Sequence, residues 1–413
     1  MIGTLIRKLG LPFAFALSVF AALPVAAQEA EVRSPTRPPR PTSSPRPTIS
    51  LGQEATMSPT TVVVDAAAAA RLGGLPQYLV DPFWPKPLPN NWIMGQVSGV
   101  AVDKQDRIWV IQRPGSLSDR ELGAEQSSPL GKCCYAAPPV LVFDQSGRLL
   151  KAWGGTGEGY EWPQEEHGIY VDDAGFVWLA GNGGKDSHVL KFTEDGKFVL
   201  QIGRSGQLGG SNDTANLGRP AGMEVDLAAR EVYVADGYRN RRVIVFDSET
   251  GTYKRHCGAY GKRPSDEKLP PYDPKVASPQ FNSPVHSVRL SVDGLVYVCD
   301  RRNDRVQIFR KDGTFVREAF FERNTRLSGS VSDLVFSRDP AQRFVFMIDG
   351  VNNELRIVER ATNQVVGRLG RLGRPGRYAG QFHIVHNIAI DSAHNLYTTE
   401  VDTGQRVQRF FDV

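Results

Sequence analysis

The sequence predicts an all-β protein, a six-bladed β-propeller, and three observations carry that prediction. A unit of alternating strands recurs six times, Asp/Gly/Asn turns separate the strands, and the last copy is one strand short. The clearest copy is SPVHSVRLSVDGLVYVCDRRNDRVQIF, Ser283 to Phe309. One strand covers Val288 to Ser291, Asp293-Gly294 turns it, a second runs from Leu295 to Cys299, and a third from Arg305 to Phe309.

Taken in order, the chain opens with Arg7 and Lys8, an apolar run from Leu9 to Leu23 and the small residues Val25-Ala26-Ala27, the pattern of a cleaved export signal over residues 1–27. Residues 28–76 read as a linker, rich in Pro, Ser, Thr and Arg to about residue 60, with an alanine run inside Val62 to Arg71 that suggests a short helix. The propeller is expected over 77–413, with blades beginning near Val97, Glu166, Pro220, Val285, Val331 and Val385. Pro114 to Pro138 is an insertion in the first blade. Because the sixth copy ends at Val413 after three strands, its outer strand is expected from Gln77 to Val80, closing the ring without an exposed edge. Asp236, Asn240 and Arg242 in blade three repeat as Asp300, Asn303 and Arg305 in blade four, and turn and cap hydrogen bonding accounts for them.

The formal charge of +4, set against 49 basic and 45 acidic residues, leaves no nucleic-acid footprint, and no stable membrane insertion is expected once the signal is removed. Four cysteines in an exported chain permit disulfides. Cys133 and Cys134 are adjacent and not expected to bond each other, which leaves Cys257 and Cys299 to pair with them or together.

The position just before or at the start of each first strand reads Ser98, His167, Ala221, His286, Ser332, His386. Histidine occupies every second blade. First strands line the central channel of a propeller, so three imidazoles converge at one height and suit a divalent metal with an open position. His188, His256, His383 and His394 fall off this register. Arg113 and Arg301 each lie fifteen residues after their blade's marker, and Tyr238 follows the second strand of blade three, so all three are expected at the same mouth. A metal, two guanidiniums and a phenol suit a small anionic substrate whose hydroxyl binds the metal: the arginines grip a carboxylate and the tyrosine exchanges a proton.

These residues resemble the peptidyl-α-hydroxyglycine α-amidating lyases, six-bladed propellers within the NHL-repeat group. The similarity spans most of Gln77 to Val413 and is strongest in GQVSGVAVD (Gly95 to Asp103), HGIYVD (His167 to Asp172), YVADGYRN (Tyr233 to Asn240) and the blade-four unit. The resemblance implies that His167, His286 and His386 bind zinc, that Tyr238 is the catalytic base or proton carrier, and that Arg113 and Arg301 bind and polarise the substrate. It implies cleavage of a C-terminal α-hydroxyglycine into a peptide amide and glyoxylate. It also implies a structural calcium, held by main-chain oxygens at Val100 and Ile169 and by a carboxylate after the third histidine, where this chain has Asn387. Where the family has a cysteine after the tyrosine this chain has Arg239, so the family's disulfides do not carry over. Two other readings stay open: a non-catalytic NHL propeller binding a protein or glycan in the cell envelope, and a lactonase-like hydrolase, against which a three-histidine ring argues.

Overall fold

The computed structural model of the protein describes residues 61–369 and 375–413; the expected export signal and most of the expected linker lie outside them. Six antiparallel sheets form the blades; four have their strands hydrogen-bonded in chain order throughout, and the fifth and sixth each add one earlier strand at the outer edge. The first blade takes Gln96–Val102, Ile108–Arg113, Val140–Phe143 and Leu149–Trp153, interrupted by the expected insertion. The innermost strands of the next blades are Glu166–Val171, Met223–Asp226, Val285–Leu290, Asp333–Phe336 and Val385–Ile390. In blades three and five the strand begins later than the repeat suggests, after Pro220 and after Ser332.

Burial explains why the units assemble. Each of six apolar clusters is shared by two neighbouring blades; Ala101, Trp109 and Val142 of blade one, for example, meet Ile169, Leu179 and Phe192 of blade two. The cluster joining Val97 and Val110 to Ala389, Tyr397 and Val407 links the last blade to the first. A single sheet exposes both faces, and only stacking on both sides buries them, at about 1.5–3 kcal/mol for each fully buried large apolar side chain. The ring closes as expected: Tyr78–Asp81 pairs antiparallel with Arg406–Asp412, Tyr78 opposite Asp412 and Asp81 opposite Arg409.

Two expectations are corrected. The expected linker is too long by its last part, because Thr61–Val63 forms a fifth strand on Gln364–Leu369 of blade five and Ala66–Arg71 forms the short helix. Three consecutive valines prefer extended pairing to helix, and Asp65 then caps the alanine run, accepting from the Ala68 amide at 2.8 Å. Ala68 and Leu75 are buried, and Arg71 forms a bidentate pair with Glu359. Cys133 and Cys134 are bonded to each other, their Cα atoms 3.0 Å apart across a cis peptide, while Cys257 and Cys299 are free. No described helix is long and apolar enough to cross a membrane.

Candidate metal centre

Each histidine is the second residue of its innermost strand, and each lies at a break in the ladder. Val285 faces Asp300 and Ser287 faces Cys299, so His286 is skipped; His167 is passed over in the same way between Glu166 and Gly168, and His386 between Val385 and Asn387. A bulge leaves its extra residue unpaired and re-aims its side chain, here into the channel. The chain packs tightly at this level: a Cβ on Gly168 would lie 2.2 Å from the Ala221 carbonyl oxygen, so only glycine fits beside His167.

The three rings are held alike. His167 Nδ1 donates to the Ala221 carbonyl at 3.2 Å, His286 Nδ1 to Ser332 at 2.7 Å and His386 Nδ1 to Ser98 at 2.8 Å. The acceptors are the markers of the three blades that lack histidine, so alternate blades supply imidazoles and the others the carbonyls that orient them. A carbonyl can only accept, so each Nδ1 carries the proton and each Nε2 presents its lone pair. The three potential ligand atoms lie within 4.8 Å of one another, and the Nε2 atoms of His286 and His386 are 3.2 Å apart. Facing lone pairs repel, and a shared cation removes the repulsion; the donor set fits zinc.

All three rings are held neutral. Burial pushes His167 and His286 well below the ordinary histidine range, and the neighbouring histidines, Arg113 and Arg301 push the same way. His386 is pushed down to about 3 by burial, then by Arg301 and Arg113. A metal therefore has no proton to displace at neutral pH.

Tyr238 reaches this centre, its hydroxyl donating to His167 Nε2 at 2.9 Å. Its approach depends on Gly237, where a Cβ would lie 2.0 Å from the Val285 oxygen. The two arginines differ. Arg113 is braced: Nε donates to the Glu166 carbonyl at 2.7 Å, and the terminal nitrogens to Gln96 at 2.9 Å and Asn182 at 3.0 Å, with Glu165 2.9 Å away. Arg301, in the short turn Arg301–Asn303, has a buried Nε with no partner among the described residues. Two further residues join the site. Asn182 links Arg113 to Arg219, whose Nε donates to the Asn182 carbonyl at 2.6 Å and whose guanidinium lies 5.9 Å from the centre of the Tyr238 ring. Arg219 adopts φ 59°, and its carbonyl accepts from the Tyr238 amide at 3.1 Å. Asn182 was findable, since it stands fifteen residues after His167, as Arg113 and Arg301 do after their markers. Arg219 lies before its blade's marker, and no repeat position announces it.

The expected calcium ligands meet differently. Val100 and Ile169 line the channel past the histidines, but the Asn387 amide is already committed: its oxygen accepts from His386 Nδ1 at 2.8 Å and its nitrogen donates to Asp333 at 2.9 Å.

No protein-family model matches the sequence. It is 29% identical over 246 residues to NHL repeat-containing protein 3 of Mus musculus, covering 57% of this chain and 58% of that protein. It is 26% identical over 221 residues to "Probable peptidyl-alpha-hydroxyglycine alpha-amidating lyase" of Caenorhabditis elegans, covering 52% of this chain and 56% of that one. The match therefore spans little more than half the length of these curated relatives. Among solved structures, a streptogramin B lyase is similar with a TM-score of 0.49 and 11% identity, over 81% of this chain and 98% of that chain.

Proposed function

We propose that the protein is an exported, zinc-dependent carbon–nitrogen lyase of the amidating type, acting on a small anionic or peptide-like substrate that ends in an α-hydroxyglycine. The observation that carries this reading is the convergence of three neutral Nε2 atoms with the Tyr238 hydroxyl at 2.9 Å from one of them. The amidating-lyase relative supports it.

His167, His286 and His386 would hold the zinc. When bound, zinc supplies Lewis acidity that lowers the pKa of the substrate hydroxyl. Arg301, whose Nε has no partner among the described residues, grips the substrate carboxylate, and Arg113 adds fixed positive potential from its braced position. Tyr238 relays the proton: its own O–H proton passes to the leaving nitrogen as the phenol oxygen takes up the one from the substrate hydroxyl. The C–O bond becomes C=O as the C–N bond breaks with its electron pair, and the leaving nitrogen takes a proton. Glyoxylate and an amide result, with no redox partner required.

The test measures metal content and glyoxylate release from α-hydroxyhippurate on the purified protein beside His286→Ala. About one zinc per chain, lost with turnover in the variant, is expected. Zinc without glyoxylate would keep the metal centre and end this choice of substrate. The competing reading is a non-catalytic propeller that binds a protein or glycan in the envelope; it draws on the NHL repeat relative and predicts neither metal-dependent turnover nor sensitivity to Tyr238→Phe.

A further inference from the structure

Past the histidines, the channel holds a charge of the protein's own. Arg289 follows His286 on the strand Val285–Leu290 and is half-buried among acceptors: Nε donates to Asp333 Oδ1 at 3.1 Å and to the Leu334 carbonyl at 3.0 Å, and Nη2 to Asp333 Oδ2 at 2.7 Å. Glu224 stands 3.8 Å from Nη1. Burial opposes this charge, but Asp333 and Glu224 outweigh it and hold the guanidinium protonated.

Asp333 is fully buried and has no free lone pair to offer an ion. Oδ1 also accepts from Ser287 Oγ at 2.5 Å and the Leu334 amide at 2.9 Å, and Oδ2 from Asn387 Nδ2 at 2.9 Å and the Ile388 amide at 3.3 Å. Calcium needs 6–8 oxygen ligands, several of them anionic. Here Asp333 is saturated, Glu224 accepts from the Leu290 amide at 3.1 Å and faces the Arg289 guanidinium, the side chain at 387 is a neutral amide turned donor, and that guanidinium lines the same cavity of about 510 Å³ as Val100 and Ile169. This set does not fit a calcium ion.

We propose that Arg289 is a built-in replacement for a bound cation: its guanidinium ties the inner strands of blades three, four and five together, and with Asn387 in place of a carboxylate the protein binds no calcium at this level. The two residues form one exchange. A carboxylate at 387 beside Asp333 would need a cation between them, and a guanidinium already there makes the second carboxylate unnecessary.

The experiment measures calcium content and thermal unfolding of the full chain in millimolar calcium or EGTA, with zinc supplied throughout so that the histidine centre does not contribute. Expected are sub-stoichiometric calcium and an unchanged Tm. About one calcium per chain, with a lower Tm in EGTA, would overturn the proposal. Asn387→Asp alone is expected to remain calcium-free, because Arg289 still fills the space; uptake by that variant would also overturn it. Arg289→Met with Asn387→Asp is expected to bind calcium and gain about 3 °C or more in Tm from it. If that pair fails to fold in either buffer, the wild-type and Asn387→Asp measurements decide.

Discussion

At the scale of single residues, the site separates groups that hold from groups that are held. Removing Arg113 leaves the Glu166 carbonyl, Gln96 and Asn182 without a donor, so Arg113→Ala is expected to lose about 1–3 kcal/mol of stability as well as activity. The Arg301 Nε has no such partner among the described residues. Arg301→Ala is expected to unfold within about 0.5 kcal/mol of wild type while kcat/KM falls by 10²-fold or more, a split that urea unfolding beside steady-state kinetics resolves. Tyr238→Phe should keep the metal and lose about 10²–10⁴-fold in kcat, read by zinc content and glyoxylate release on the same sample. The convergence of the three histidines with Tyr238 was legible in the sequence because the histidines share one repeat position and Tyr238 follows a second strand that ends at the same face. Arg219 was not, because it reaches Tyr238 from a loop whose path no periodicity encodes, through a left-handed backbone that an arginine does not advertise.

At the scale of elements, the blades are pinned by a recurring ion pair. Asp236–Arg242, Asp300–Arg305 and Asp349–Arg356 join the end of a second strand to a third, and all six side chains are fully buried. Leaving one charge unpaired is costly, so Arg305→Ala should destabilise by about 3–5 kcal/mol, measured by denaturant unfolding. The sequence announced the first two as turn chemistry, which captures their place; it could not show that the pairs are dry. An outer pair behaves differently. Glu231 is held at about 2, first by the bidentate grip of Arg255 at 2.6 Å against the cost of burial, and further by Tyr233. Its folded value lies below its unfolded one, so the pair stabilises fully above about pH 4.5, and the contribution is lost as pH falls toward about 2. Glu231→Gln should flatten the stability profile across that window. The N-terminal strand and helix were half legible: the alanine run gave the helix, but the edge that Thr61–Val63 covers belongs to residues three hundred positions away, Gln364–Leu369.

At the scale of the whole molecule, stability is shared around a closed circle of six blade-to-blade clusters, and none is buried without its neighbour. The repeat and the missing strand predicted this circle, because counting strands requires no knowledge of distance. The pairing of Cys133 with Cys134 was misjudged because spacing says nothing of local backbone geometry. The closure itself has a consequence in time. The sixth blade is built from Tyr78–Asp81 and from strands that run to Asp412, so its outer strand is made long before the three it completes. Until Arg406–Asp412 is made, Tyr78–Asp81 has no partner strand and the ring stays open. Closure therefore waits on Arg406–Asp412, and a chain stalled before that strand would remain a substrate for chaperones rather than a slightly shortened protein.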